Sequence, residues 1–294
     1  MRIGTMTSHF RDQREAKDLI GYVESMNRCV KAGFTVLDMN LCALQRGGTE
    51  LNGDDWREKL GVICKEKEKL KVEFVQSHPP YRPFFGFHFP TPEEDERFRM
   101  LTKRSIEVSA ALGVTWAVMH PVTETAGPEM DTDLNLAANH VAYDEAVEFA
   151  NKRGVGIAFE NLTDVYQSHR RRFGTSAEEL LALIESYRGA KVGVCWDTGH
   201  ANRVYADQIP AITRLGRLIK ATHINDNMGG DDLHLMPFLG TVPWEGVIKA
   251  FKDSGYEGDL IYEITMNNRM PQALKDPSAR YSFDIGRYLL CLAE

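Results

Sequence analysis

The sequence predicts one α/β domain over residues 1–294, a (β/α)8 barrel of the TIM type. Three observations predict it. Short apolar runs alternate with helix-patterned stretches eight times along the chain. The runs are nearly continuous in apolar character, which suits parallel strands covered on both faces better than half-exposed antiparallel ones. The length of 294 residues matches eight strand-helix units with no second domain left over.

The elements follow in order. Strands are read at residues 2–6 (RIGTM), 34–40 (FTVLDMN), 72–76 (VEFVQ) and 114–119 (VTWAVM). Four more are read at 155–159 (VGIAF), 192–196 (VGVCW), 218–223 (LIKATH) and 260–264 (LIYEI). Apolar spacings of three and four place helices at 16–32, 54–70, 93–112, 135–153, 176–188, 244–254 and 279–292, with a weak one at 206–215. Asp54, Thr91 and Thr175-Ser176 stand where N-caps are needed. Gly33, Gly113, Gly154 and Gly255 precede strands, where a left-handed C-cap would put a glycine. A doubly wound open sheet would show a Gly-rich phosphate loop after the first strand, and GTMTSHF is not one. Trp116, Trp196 and Trp244 are expected to pack in the core.

Composition narrows the function. The formal net charge is −7 and the pI is about 5.8, which disfavours nucleic acid or an anionic membrane as partner. No apolar run approaches a membrane span, and the N-terminus lacks the pattern of a signal peptide. The five cysteines form no CxxC pair and read as reduced thiols of a cytoplasmic protein.

In such a barrel the active site lies at the C-terminal strand ends. His78 follows the third run, His120 the fourth, and Glu160-Asn161 the fifth. Asp197 ends the sixth and is followed in the loop by His200. His223 ends the seventh, and Glu263 lies in the eighth. Converging acids of this kind repel unless a cation offsets them. Asp232 and His234, two apart in the loop after the seventh strand, can point the same way.

The motifs MHP (119–121), FEN (159–161), WDTGH (196–200), HINDN (223–227), DLHLMPFLGTVPW (232–244) and YEI (262–264) carry a resemblance over essentially the whole chain. It resembles the sugar phosphate isomerase/epimerase family of the xylose isomerase-like TIM barrel superfamily. The resemblance implies one divalent metal held by Glu160, Asp197, His223 and Glu263. That hard donor set suits Mn²⁺ first, then Co²⁺ or Mg²⁺, with Zn²⁺ as an alternative. It implies isomerisation or epimerisation of a sugar or sugar derivative by proton transfer through a metal-bound enediolate. Glu160 and Glu263 would be the acid and base, and His200 would bind or polarise a substrate oxygen. His78, His120, Asp232 and His234 are read as substrate-binding.

Two positions depart from the sugar 3-epimerase pattern. Gly229 stands where those enzymes carry an arginine, and Tyr166 where they carry a glutamate. Related branches use similar sites for keto-sugar dehydration and C-glycoside cleavage. Endonuclease-IV-like DNA repair enzymes hold three zincs on residues matching all nine rim positions, although the acidic pI argues against DNA. The aromatic loop at 78–92 could cover a sugar ring, and the arginines at 170–172 could bind an anion or stay solvated. Family members are often oligomers, so a homo-oligomer stays open.

Overall fold

The computed structural model describes residues 1–10, 20–83, 87–124, 130–163, 171–265 and 270–293. Tyr166, Arg170, the start of the helix read at 16–32 and the centre of the aromatic loop lie outside the described residues.

All eight strands form where the apolar runs stand. They are β1 (Ile3–Met6), β2 (Val36–Asn40), β3 (Glu73–His78) and β4 (Trp116–Met119). They continue as β5 (Gly156–Glu160), β6 (Val192–Asp197), β7 (Ile219–His223) and β8 (Leu260–Tyr262). Their order in the sheet is β7-β6-β5-β4-β3-β2-β1-β8, and every ladder is parallel. A single bridge, Ile224 to Tyr262, joins β7 to β8 and brings the ring round. Two backbone hydrogen bonds flank it, Ile224 N to Ile261 O at 2.7 Å and Glu263 N to Ile224 O at 3.1 Å. This is a (β/α)8 barrel.

Period-two alternation sorts the side chains between two cores. Val118, Ala158, Cys195 and Ala221 pack inside the barrel, with Trp116 at its base. Their neighbours in sequence, Met119, Ile157, Phe159, Val194 and Trp196, pack in the larger outer core. Small side chains inside and large ones outside are what a narrow eight-stranded barrel accommodates. Trp196 and Trp244 are fully buried as expected, whereas Trp116 is only half-buried.

The helices are α1 (Tyr22–Ala32), α2 (Trp56–Leu70), α3 (Pro92–Leu112), α4 (Thr132–Asn151) and α5 (Ala177–Ser186). After them come α6 (Thr198–Val204), α7 (Ile209–Leu215), α8 (Trp244–Asp253) and α9 (Gln272–Cys291). Thr91 caps α3, and Ser176 with Glu179 forms a capping box on α5. The four pre-strand glycines all adopt positive φ, between 78° and 116°. Elsewhere the chain departs from expectation. Asp54 caps nothing: α2 starts after Asp55, whose side chain makes no cap bond. Asp131 caps α4 through Leu134 N, so that helix starts three residues early. Helix α9 starts at Gln272, with Pro277 inside its second turn. The weak stretch at 206–215 holds only α7. A further short helix, α6, follows β6 directly, where a loop was expected. No helix among the described residues is long and apolar enough to cross a membrane.

Candidate metal centre

Strand ends bring the ionisable side chains to one mouth. Glu160, Asp197, His223 and Glu263 each offer one donor atom, and the four atoms lie within 4.8 Å of one another. His223 Nδ1 lies 3.0 Å from Glu160 Oε1 and 3.0 Å from Glu263 Oε2. A divalent ion with oxygen and nitrogen ligands at about 2.0–2.6 Å needs donors separated by roughly 3–5 Å. The set therefore needs little movement to close on one ion.

The residues fit such an ion on further grounds. Glu160 is fully buried, and its Oε2 has no aligned hydrogen bond. Among the described residues, the ion-pair partners of Glu160, Asp197 and Glu263 are histidines, with no lysine or arginine. Burial pushes the Asp197 carboxyl up to about 7, and the charges of Glu160, Glu263 and Asp232 add to the rise against the pull of His200. Burial also opposes charge on Glu160, but His223 and His120 outweigh it and hold that carboxyl well below its usual range. Glu263 is similarly held down to about 2, desolvation being outweighed by His223 and His234. Negative charge on Asp197 is thus disfavoured by burial and by its acidic neighbours, and a divalent cation would offset both.

A second donor set shares Glu160. His78, His120 and Glu160 also have donor atoms within 4.8 Å of one another. Glu160 Oε2 lies 3.1 Å from His120 Nε2 and 3.5 Å from His78 Nε2. Tyr81 stacks on the His120 ring, with centroids 4.9 Å apart, so this part of the aromatic loop does reach the mouth. Phe87 is buried instead, and Arg82 is buried against Asp95 at 2.6 Å. Arg171 pairs with Glu179 at 2.6 Å.

His200, Asp232 and His234 form a third group. Asp232 Oδ2 lies 3.3 Å from His200 Nε2 and 3.2 Å from His234 Nε2. Each ring is fixed from behind: His200 Nδ1–H donates to Asn161 O and His234 Nδ1–H to Glu263 O, both at 2.8 Å. His200 does not reach the mouth from a loop. It lies in the first turn of α6, whose N-cap is Asp197, with His200 N donating to Asp197 Oδ1 at 2.7 Å. The same carboxylate thus starts the helix and belongs to the donor set.

All nine rim residues read from the sequence converge here. Several that position them were not read as such. Asn161 holds the Asp197 backbone at both N–H and C=O, at 2.6 and 2.9 Å. Asn225 Nδ2 donates to Asp197 Oδ2 at 2.8 Å. Asp226 is fully buried and accepts four donors: the N–H groups of Asn227, Phe238 and Val242, and the Trp244 indole. It organises the loop that carries Asp232 and His234. The signal was present in the polar run HINDN, which is too polar to be an ordinary strand end. Cys42 Sγ lies 3.1 Å from His78 Nδ1, and nothing in the sequence announces that contact.

A barrel with a ring of acids and imidazoles at its C-terminal mouth defines the class. A family model described as xylose isomerase-like TIM barrel matches residues 26–282, and the chain belongs to that family. The Sinorhizobium fredii protein y4fM is 30% identical over 174 residues, 57% of this chain and 52% of that protein. Fructoselysine 3-epimerase of Escherichia coli O157:H7 is 30% identical over 131 residues, 44% of this chain and 46% of the enzyme. The chain thus spans about half the length of each of these relatives. A crystal structure of a D-tagatose 3-epimerase-like protein superimposes with a TM-score of 0.72 at 22% identity, covering 100% of this chain and 98% of that one. That likeness is one of fold.

Proposed function

We propose that this protein is a divalent-cation-dependent isomerase or epimerase of a sugar or sugar derivative. The observation that carries the reading is the four-donor set of Glu160, Asp197, His223 and Glu263, with a second set of His78 and His120 sharing Glu160. Its partial match to fructoselysine 3-epimerase supports the same chemistry.

Glu160, Asp197, His223 and Glu263 would hold the ion, with Mn²⁺ as first choice. When bound, it would polarise the sugar carbonyl and the neighbouring hydroxyl and offset the charge that develops there. The two glutamates stand at the end of β5 and just past β8, with His223 between them. One takes a proton from the carbon beside the carbonyl, and either it or the other returns one. His200 polarises a substrate oxygen, while His78, His120, Asp232 and His234 bind hydroxyls around the ring. The free cysteines suit a cytoplasmic protein. A homo-oligomer is in keeping with the family.

The test is cation content by elemental analysis, with ketoses and keto-glycosides then incubated in D₂O. About one Mn, Co or Mg per chain, with deuterium entering the carbon beside the carbonyl, supports the reading. No cation after reconstitution, or no exchange with any substrate, overturns it. An unsaturated product or a released aglycone would move the assignment to a keto-sugar dehydratase or C-glycoside lyase. The His78, His120 and Glu160 set is the observation favouring the endonuclease-IV-like alternative, for which three zincs and cleavage at abasic DNA would be found.

A further inference from the structure

Asp38 of β2 and Gln76 of β3 face each other across the strand pair, next to a register shift between Leu37 and Asp38. Such a shift re-aims the side chain beside it. Leu37 packs in the outer core, whereas Asp38, fully buried, reaches the barrel interior beneath the mouth. Its Oδ2 accepts Gln76 Nε2–H at 2.8 Å. Gln76 Nε2 also donates to the carbonyl of Thr222 at 3.1 Å, tying the pair to the residue before His223.

Among the described residues Asp38 Oδ1 has no hydrogen-bond partner, and neither has His223 Nε2. Both side chains have zero exposure. His223 Nε2 lies 3.8 Å from Asp38 Oδ2. A buried acceptor and a buried ring nitrogen left unsatisfied cost about 1–3 kcal/mol each, and here they belong to two side chains that approach to 3.8 Å through the other carboxylate oxygen. The gap is longer than a hydrogen bond by less than about 1 Å, which a small rotation of ring or carboxylate closes. The other face of the ring settles the proton: Nδ1 points at Glu160 and Glu263. An imidazole that gives Nδ1 to a cation carries its hydrogen on Nε2.

We propose that Asp38 is a positioning residue for the cation site. Its carboxylate takes the Nε2–H of His223, fixes the ring with Nδ1 toward Glu160 and Glu263, and makes that nitrogen a stronger donor. Gln76 holds the carboxylate in place. The inference rests on the reading of Glu160, Asp197, His223 and Glu263 as ligands, and the test separates the two.

Mn²⁺ binding to the full chain is measured by calorimetry for wild type and Asp38→Asn, beside the melting temperature of each metal-free protein. The expected result is about 10–100-fold weaker binding with no lower melting temperature. Equal affinities would overturn the inference and leave the ligand reading intact. A wild-type chain that binds no cation would overturn both. Should the variant not fold, wild type labelled with ¹⁵N-histidine and loaded with Zn²⁺ decides the matter. His223 should then show a slowly exchanging hydrogen on Nε2 and no hydrogen on Nδ1. The reverse pattern would sink the proposal.

Discussion

The Asp226 carboxylate accepts the indole N–H of Trp244 at 2.9 Å, linking the end of the barrel wall to the first residue of α8. Both residues are buried, and the loop between them carries Asp232 and His234. Asp226→Asn would turn an amide N–H₂ against donors that now meet a carboxylate. We expect a loss of about 1–3 kcal/mol in a urea melt, together with a raised KM, because the loop loses its anchor. Unchanged stability would show that other contacts hold the loop.

Glu160→Gln removes the charge shared by the two donor sets while keeping the shape. Turnover should fall by about 10²–10⁴-fold in a D₂O exchange assay, with the circular dichroism spectrum unchanged. Retention of wild-type exchange would remove Glu160 from the proton-transfer role.

Gly199 sits against Asn225: a Cβ there would lie 1.8 Å from Asn225 Oδ1. Gly199→Ala must push Asn225 away from Asp197 and tilt the first turn of α6, which carries His200. We expect a lower melting temperature and weaker Mn²⁺ binding, both partly restored by adding Asn225→Ser. If the double variant is no better than the single, the clash is not the cause.

His9 supplies a pH dependence remote from the mouth. Burial, aided by the nearby charge of Arg28, lowers its pKa from 6.5 to about 4. The folded chain thus prefers the neutral ring, and below pH 6.5 the unfolded chain protonates first. Stability from neutral His9 is full above that value and is lost as pH falls toward 4, by up to about 3 kcal/mol. His9→Gln keeps a partner for Thr5, which bonds His9 Nδ1 at 2.8 Å, but does not titrate. Urea melts at pH 7.5 and 4.5 should show a smaller difference for the variant; equal differences would refute this assignment.

The strands were legible as apolar runs, and the rim because the third to eighth of those runs stop at or beside an ionisable residue, which a parallel barrel gathers at one end. The positioning residues were less so. Asp38 lies inside the run FTVLDMN, where a polar residue reads as a flank, and its aim depends on a register shift that no residue pattern encodes. Helix α6 has seven residues and a glycine in its first turn, too short for apolar periodicity to register. The start of α9 was hidden by Pro277, which reads as a breaker although the helix carries it. Asn225 and Asp226 stood in plain view in HINDN, but their partners lie in other segments, and sequence order does not pair them.

The single bridge between β7 and β8 gives the barrel one slack joint among eight. The two lips of that joint end in His223 and Glu263. An ion gripped by both lips would act as a rivet across the ring, so the segment that breathes most easily when empty would be the one most firmly shut when filled. Amide exchange at Ile224 and Ile261 would report the difference, and the mouth would owe its width to what it holds.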